Sequence, residues 1–292
     1  MPVTFSQLTD AFAAEISGID IAAGVNDEDI TQIVRLFNEY SILVFHGQDM
    51  TDEQQIRFSQ RFAELGDFPG LEKTVVQNPG AGTPIAVVSN LDRQGVIIPP
   101  TDTRMIFNSG NEMWHTDSSF KSVPATASML SGREVPPSGG DTEFASQRAA
   151  YVDLAEEVKQ RIEHYVAIHD FAYSRSLINP TAMKEEQKRQ TPPVPQAVVR
   201  ANPANSRKNF YTGAHASCVR GLPVEEGRAL LKQLTAFSVQ DSYTYTHKWQ
   251  PKDFVIWDNR CCLHRGRTWD KATYRRVMHR TTVMGIGPTA EL

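Results

Sequence analysis

The sequence has few cysteines and no long hydrophobic run, and both absences restrict the class of protein. Its three cysteines are Cys218 and the neighbours Cys261 and Cys262, which are too few for a disulfide framework and include a pair whose bridging would be strained. No run of about 18 apolar residues is present, and the amino terminus lacks a basic segment followed by an apolar stretch. We therefore expect reduced thiols, no membrane span, no secretory signal and a cytoplasmic location.

The sequence also lacks an excess of positive charge. Its net charge is -4, with both signs interspersed along the chain, so no basic field is available to neutralise nucleic-acid phosphates. With 40% hydrophobic and 22% charged residues in 292, the composition is that of a folded globular protein. No internal repeat, low-complexity tract or linker divides the chain, which predicts one domain over residues 1–292.

Hydrophobic spacing and capping residues predict the first elements. Apolar residues recur at helical intervals over Asp27–Tyr40, and the following Ser41–Phe45 has the composition of a buried strand. A second helix is expected to open at Thr51, whose hydroxyl can cap while Gln54 reaches back in a capping box. Gly66 is expected to end that helix.

The remainder of the chain alternates turn-rich stretches with short β candidates. Residues 69–111 are rich in Gly, Pro, Asn and Asp, which indicates long loops over a site. Helices are predicted over Ala149–Tyr165 and Val224–Phe237. The alternating residues of Tyr243–Trp249 and the apolar run Phe254–Trp257 flank a turn, which predicts a hairpin. This pattern favours a mainly β fold with flanking helices, a sandwich or jelly roll.

One short motif, His115-Thr116-Asp117, indicates a metal centre. In a strand, residues two apart point to the same face, so His115 and Asp117 can reach one ion together. His264, which follows the strand Phe254–Trp257, would complete a two-histidine, one-carboxylate set that leaves coordination positions open on iron(II). The motif alone is common by chance. The other histidines, which could supply a third ligand instead, are His46, His164, His169, His215, His247 and His279.

Longer segments around these residues indicate whether the motif is a chance match and which histidine is the third ligand. They are Trp114-His115-Thr116-Asp117-Ser118-Ser119-Phe120, Val135-Pro136-Pro137-Ser138-Gly139-Gly140-Asp141-Thr142-Glu143-Phe144, Gly213-Ala214-His215-Ala216-Ser217 and Trp257-Asp258-Asn259-Arg260-Cys261-Cys262-Leu263-His264-Arg265-Gly266-Arg267. Together they closely resemble the taurine and 2,4-dichlorophenoxyacetate dioxygenase family. The similarity runs from Ser41 to Arg280 and is nearest to the phenoxyacetate branch.

The resemblance implies a double-stranded β-helix, which is a jelly-roll barrel, and it implies roles for particular residues. His115, Asp117 and His264 match the iron ligands of the family. Thr142 matches the residue that hydrogen-bonds the far carboxylate of the co-substrate 2-oxoglutarate. Arg276 matches the arginine that clamps the same carboxylate with its planar fork.

Three further residues are assigned to the primary substrate on the same grounds. Arg280 matches the arginine that binds the substrate's anionic group, and His215 and Lys73 are candidates for additional polar contacts. The taurine branch has a slightly shorter connection between the distal histidine and the clamping arginine. Because Arg275 adjoins Arg276, this difference leaves the arginine register open by one residue.

The family resemblance implies chemistry that needs Fe(II), 2-oxoglutarate and O2, with no catalytic side chain beyond the metal site. An aryloxyalkanoate such as a phenoxyacetate herbicide would be hydroxylated next to its carboxylate, giving a phenol and glyoxylate together with succinate and CO2. The expected partner is a small anionic aromatic compound, and a homo-oligomer is possible. The alternatives are the same chemistry on a sulfonate or another small carboxylate, a metal-binding barrel without turnover, and a zinc hydrolase.

Overall fold

A computed structural model describes residues 3–73, 82–181 and 183–290 of the chain. Within these ranges the protein has fifteen strands, eight α-helices and two short 3-10 helices. The strands are β1 (Thr4–Gln7), β2 (Ala13–Ser17), β3 (Ile42–Phe45), β4 (Ala86–Ser89), β5 (Ala127–Glu134), β6 (Thr142–Ser146), β7 (Val166–His169), β8 (Val194–Ala197), β9 (Val199–Ala201), β10 (Lys208–Phe210), β11 (Ala216–Val219), β12 (Thr244–His247), β13 (Phe254–Asp258), β14 (Cys262–Gly266) and β15 (Val277–Val283). The helices are α1 (Asp27–Tyr40), α2 (Asp52–Leu65), α3 (Thr103–Asn108), α4 (Gln147–Asp153), α5 (Glu156–Ile162), α6 (Phe171–Ser176), α7 (Glu185–Gln190) and α8 (Val224–Ser238), with 3-10 helices at Ser109–Glu112 and Asp241–Tyr243.

The two amino-terminal helices begin and end where their sequence signals lie. Asn26 caps α1 by accepting a hydrogen bond from the backbone N–H of Asp29. At α2 both hydrogen bonds of the predicted capping box are present, between Thr51 and Gln54, and Gly66 closes the helix by donating its N–H to a carbonyl one turn back. These contacts satisfy backbone groups that a helix end otherwise leaves unpaired.

Most of the strands form a seven-stranded sheet in the order β1-β2-β3-β13-β5-β15-β4. All of its pairs are antiparallel except β2 with β3, which is parallel. A smaller sheet, β12-β6-β14, carries the other half of the barrel, and β7, β8 and β11 form a third sheet under α8. This is the predicted mainly β architecture with flanking helices, and its jelly-roll fold is confirmed.

The central strand β13 shows how the two faces of the large sheet are used. Phe254 and Ile256 pack with the apolar stripes of α1 and α2. Val255 and Trp257 point the other way and pack with Phe144 of the small sheet. Because successive strand residues face opposite sides, one fully buried strand serves both layers. The interior between the two sheets ends at the site described below.

Two predicted elements are wrong in detail. The expected hairpin does not form, because β12 pairs with β6 of the small sheet while β13 pairs with β3 and β5 of the large one. The chain thus crosses between layers at this turn. The predicted helix Ala149–Tyr165 is two helices, α4 and α5, because Leu154 adopts an extended backbone and buries its side chain between them.

The turn-rich stretch 69–111 is more ordered than the loops that its composition predicts. Strand β4 forms the edge of the large sheet beside β15, and α3 with its following 3-10 turn covers one end of the barrel. Residues 74–81 of this stretch lie outside the described residues. Within the described part of the chain, no helix has the length and apolar character required to cross a membrane.

Candidate active site

His115 and His264 lie side by side at the end of the barrel. Their backbones pair as an isolated bridge, with N–H to carbonyl distances of 3.0 and 2.8 Å, and their ring centroids are 4.2 Å apart. The Asp117 carboxylate completes the group, with Oδ1 4.0 Å from His115 Nε2 and Oδ2 3.9 Å from His264 Nε2. The three candidate ligand atoms all lie within 4.8 Å of one another, and all three residues are buried.

The backbone that brings His115 and Asp117 together differs from the strand that the motif predicts. Only His115 is paired, and the chain turns immediately afterwards, with Ser118 in the left-handed region at a φ of 58°. The carboxylate therefore reaches the imidazoles through a turn. The prediction of a shared strand face is wrong, although the proximity predicted from it is observed.

Hydrogen bonds and packing fix the direction of each imidazole. His115 Nδ1 donates to the carbonyl of Met113 at 2.8 Å, since a carbonyl can only accept, and this leaves Nε2 as the nitrogen with a free lone pair. His264 is held instead by neighbouring rings, Trp257 at 4.8 Å and Phe144 at 6.2 Å between centroids. Both Nε2 atoms face Asp117.

The Asp117 carboxylate is oriented by three side chains from distant parts of the chain. Ser128 Oγ on β5 donates to Oδ2 at 2.6 Å, and the Arg280 guanidinium on β15 donates to Oδ1 at 3.0 Å. The side chain of Asn259 accepts from the backbone N–H of Asp117 at 3.2 Å and donates to Ser128 Oγ at 2.9 Å. Ser128 was not predicted, because a single serine within a strand carries no sequence signal.

Burial and charge set the protonation states of this group. Burial lowers the pKa of His264 to about 3 and also lowers the pKa of His115, so both imidazoles are neutral near pH 7. Burial alone would raise the pKa of Asp117, but the charge of Arg280 and the hydrogen bond from Ser128 act in the opposite direction and hold the carboxyl pKa below its usual value. Two neutral imidazoles and one carboxylate form a donor set that suits a divalent transition metal.

A cavity of about 70 Å³ has a lining that includes Asn111, Trp269 and Arg276. Arg276 is buried, and within the described residues its Nε has no hydrogen-bond partner. Burial lowers its pKa to about 10, so it stays charged at neutral pH. The neighbouring Arg275 is exposed and binds Glu134 with a nitrogen to oxygen distance of 2.6 Å. Of the two arginines, Arg276 is the one whose side chain is buried.

Of the Gly139-Gly140 and Thr142 positions of the predicted motif, Gly140 lies against that arginine. A Cβ on Gly140 would lie 3.2 Å from Arg276 Nε, at a φ of +71° that side chains rarely adopt, so glycine leaves room for the guanidinium. Thr142 is buried, and its Oγ accepts from the indole N–H of Trp249 at 2.9 Å. Its own hydroxyl proton therefore remains available to an anion.

The two additional substrate candidates lie in different surroundings. His215 is buried, its ring centroid is 6.1 Å from that of His115, and its Nδ1 lies 2.9 Å from Ser174 Oγ. The structure thus brings His215 next to the histidine and aspartate group. Lys73 is exposed at the edge of a described segment; its assigned contact with the substrate stays a prediction.

This fold and site define a class of protein, since a jelly-roll barrel with a buried two-histidine, one-carboxylate group is the arrangement of mononuclear non-haem iron oxygenases. The comparisons with known proteins then give the family. The family model described as "Taurine catabolism dioxygenase TauD, TfdA family" matches residues 4–282, and the chain belongs to this family of enzymes.

Relatives and a solved structure agree with that assignment. The chain is 39% identical to the alpha-ketoglutarate-dependent 2,4-dichlorophenoxyacetate dioxygenase of Cupriavidus pinatubonensis over 285 residues, covering 97% of this chain and 98% of the relative. It is 34% identical to the (S)-phenoxypropionate/alpha-ketoglutarate-dioxygenase of Sphingobium herbicidovorans, covering 95% and 93%. The crystal structure of AAD-2 in complex with Mn(II) and N-oxalylglycine superposes with a TM-score of 0.90 at 37% identity, covering 100% of each chain. The resemblance to the phenoxyacetate branch is confirmed.

Proposed function

We propose that this protein is an Fe(II)- and 2-oxoglutarate-dependent dioxygenase that hydroxylates the carbon next to the carboxylate of an aryloxyalkanoate. The observation that carries the proposal is the buried group of His115, Asp117 and His264 in a chain whose relatives are named as dioxygenases of 2,4-dichlorophenoxyacetate and phenoxypropionate. For an aryloxyacetate the hydroxylated product is a hemiacetal that breaks down to a phenol and glyoxylate, and 2-oxoglutarate is converted to succinate and CO2.

His115, Asp117 and His264 would hold the iron. The fit is supported by their chemistry, since both imidazoles are neutral and the carboxylate is ionised at neutral pH. A ligand set of three leaves coordination positions for the co-substrates. Bound iron with 2-oxoglutarate and O2 supplies the oxidant that removes hydrogen from an unactivated C–H bond. The chain's own residues bind, orient and exclude water.

Arg276 and Thr142 would bind the far carboxylate of 2-oxoglutarate. Arg276 is a buried cation whose Nε has no partner within the described residues, and a buried charge is costly unless an anion pairs with it. Thr142 has a hydroxyl proton to donate. N-oxalylglycine, present in the crystal structure of AAD-2, is a dicarboxylate with the shape of 2-oxoglutarate, which supports 2-oxoglutarate as the co-substrate.

Arg280 would bind the carboxylate of the aryloxyalkanoate. Its guanidinium is 3.0 Å from Asp117 Oδ1, so an anion held on its other face lies a few ångströms from the iron ligands. The carbon attached to that carboxylate would then lie close to the metal position, where the proposed hydroxylation takes place. His215, beside His115, would contact the ether oxygen or ring, and Lys73 remains a proposed outer contact.

A substrate panel tests the proposal. Purified protein with Fe(II), ascorbate and 2-oxoglutarate is offered 2,4-dichlorophenoxyacetate, 2-phenoxypropionate, taurine and a simple aliphatic carboxylate, and succinate and phenol are measured for each. We expect equal amounts of succinate and phenol from the aryloxyalkanoates. Succinate release stimulated most by taurine would instead support the sulfonate alternative, because Arg280 could bind that anion as well.

A further inference from the structure

A group of aromatic rings extends outward from the metal ligands. Next to His115 lies His215, whose ring centroid is 5.0 Å from that of Phe120 and 5.7 Å from that of Phe171. Phe171 in turn lies 6.1 Å from Phe107. The three phenylalanines are only partly buried, so each ring keeps some exposed surface close to His215. We call Phe107, Phe120 and Phe171 the aromatic wall.

A single arginine lies between two members of this wall. Arg175 of α6 is 7% exposed, and its guanidinium carbon is 4.7 Å from the ring centroid of Phe107 and 4.7 Å from that of Phe171. Both distances are within the range of cation–π contacts. One of its terminal nitrogens donates to the backbone carbonyl of Phe107 at 3.1 Å. Arg175 therefore joins α6 to α3.

A close glycine contact fixes the position of this guanidinium. A Cβ built on Gly110, in the 3-10 turn after α3, would lie 1.4 Å from a terminal nitrogen of Arg175. The two groups cannot occupy that space together, so the arginine fits only because residue 110 has no side chain. Its planar head is thus enclosed by two rings, a carbonyl and a glycine.

No carboxylate explains why a cation is buried there. Within the described residues Arg175 forms no ion pair, its Nε has no hydrogen-bond partner, and burial alone lowers its pKa to about 10. A leucine or methionine would bury the same volume without the desolvation cost. What a planar cation adds is attraction to two ring faces at once together with a hydrogen bond to the backbone.

We propose that Arg175 is a positioning residue for aryl specificity: by holding Phe107 and Phe171 at a fixed separation it shapes the aromatic wall that receives the ring of the substrate. The inference rests on the proposed function, because it supplies the ring-binding side of an aryloxyalkanoate site. Arg175 acts through the two phenylalanines, while Arg280 and Arg276 bind the carboxylates of substrate and co-substrate. Aromatic rings attract one another beyond the area that they bury, so loss of the wall's shape is expected to weaken binding of a ring about tenfold.

Two variants disturb this arrangement in different ways. Arg175→Lys keeps the charge and removes the planar group, and Gly110→Ala keeps Arg175 and displaces its guanidinium. Because the atom displaced is the far end of a flexible side chain, we expect Gly110→Ala to fold. Matched controls are Arg189→Lys, at an exposed ion pair on α7, and Gly287→Ala, where a Cβ meets nothing within 4 Å.

The measurement is isothermal titration of the metal-free protein with two probes, 2,4-dichlorophenoxyacetate and hexyloxyacetate, which share an ether and a carboxylate but differ in the ring. We expect wild-type protein and both controls to prefer the aryl probe, and Arg175→Lys and Gly110→Ala each to reduce that preference about tenfold. The KM for 2-oxoglutarate is expected to stay within twofold. A lowered melting temperature alone would leave the preference ratio unchanged, so the ratio separates specificity from stability.

The following results would contradict the proposal. If Arg175→Lys binds both probes like wild type, the charge and not the planar group matters, and the proposal is wrong. If Gly110→Ala retains the full aryl preference, or if either variant weakens 2-oxoglutarate as much as the aryl probe, the proposal is also wrong. Wild-type protein that neither binds nor turns over any aryloxyalkanoate would contradict the proposed function and this inference together, whereas an active wild type with unaffected variants contradicts this inference alone.

Discussion

Arg276 and Arg280 are four residues apart, yet they lie in different surroundings, and we expect them to bind different ligands. Arg276 lies in the cavity with Trp269, with its Nε free of any partner among the described residues. Arg280 is partly exposed and contacts Asp117. A charge-assisted hydrogen bond at a site shielded from water contributes about 1.5–3 kcal/mol, so losing one arginine should affect one ligand about 10- to 100-fold.

We therefore expect Arg276→Gln to raise the KM for 2-oxoglutarate by that factor. Arg280→Gln should instead raise the KM for the aryloxyalkanoate and increase decarboxylation of 2-oxoglutarate that is not coupled to phenol formation, because the substrate is no longer positioned. Steady-state titration of each substrate checks both. Arg275→Gln, which removes only an exposed ion pair, is the matched control and should change neither constant more than about twofold. A large 2-oxoglutarate defect in Arg275→Gln with none in Arg276→Gln would reverse the register.

At the scale of elements, the site is closed by parts that are far apart in sequence. The 3-10 turn after α3 carries Glu112, which forms an ion pair with Lys271 of the connection between β14 and β15. Lys271 also lies 5.1 Å from the ring centroid of Trp269, which in turn lies 5.3 Å from Arg276. The ion pair thus joins two segments that line the cavity containing Arg276.

We expect Lys271→Gln to have a small effect. Ion pairs near the surface contribute about 0–1 kcal/mol, so the KM for 2-oxoglutarate should rise less than about fivefold, with the kcat for the aryloxyalkanoate retained. The double variant Glu112→Gln/Lys271→Gln should be no worse than Lys271→Gln alone, since either change already breaks the pair. A loss as large as that of Arg276→Gln would mean that Lys271 itself binds the co-substrate.

The elements that could be predicted from sequence are those determined by neighbouring residues. Helices α1, α2 and α8 follow from apolar spacing and caps, with the capping box of Thr51 observed as predicted. The strand that pairs with β12 could not be predicted in this way. A turn between two predicted strands does not determine whether the chain returns to the same sheet or crosses to another. The α3 segment was missed because its six residues are too few to show a helical period.

The residues of the site could be predicted from the sequence only where they lie within the segments that resemble the family. His115, Asp117 and His264 are brought together although about half of the chain separates them, and no local rule determines that contact. Ser128 and Arg175 were missed because neither belongs to a motif and each acts through a partner that local sequence spacing does not identify. Contacts of this kind follow from the packing of the sheets and helices.

At the scale of the whole molecule, several histidines are buried without charge, and this determines how the fold responds to acid. His169 on β7 is fully buried and stacks on Tyr211 with centroids 5.4 Å apart. Burial lowers its pKa to about 3 from an ordinary value of 6.5, and the charge of Arg200 adds to the effect. Between these two values the unfolded chain binds a proton that the folded protein does not, so stability falls as the pH decreases from about 6.5 towards 3.

We expect His169→Gln to flatten this acid dependence. Urea unfolding at pH 7.5 and pH 5 gives the free energy of unfolding at each pH, and the difference between the two values should be smaller in the variant than in wild type, whatever the absolute stability of each. His164→Gln removes an exposed histidine of the same region and should leave the difference unchanged. Equal differences in wild type and His169→Gln would show that this histidine is not the group that resists protonation.

Oxygen uptake in a single cuvette containing 2,4-dichlorophenoxyacetate tests directly whether the protein is an Fe(II)- and 2-oxoglutarate-dependent dioxygenase. We predict uptake only when Fe(II) and 2-oxoglutarate are both present, with one phenol and one succinate formed for each O2 consumed, and none from a folded His264→Ala variant, since the iron site has no ligand to spare. Zinc in place of iron should give no uptake and should inhibit when both metals are present. Near-normal succinate formation by His264→Ala would contradict the role of His264 as an iron ligand. Product formation stimulated by zinc in iron-free buffer would contradict the iron-dependent reaction.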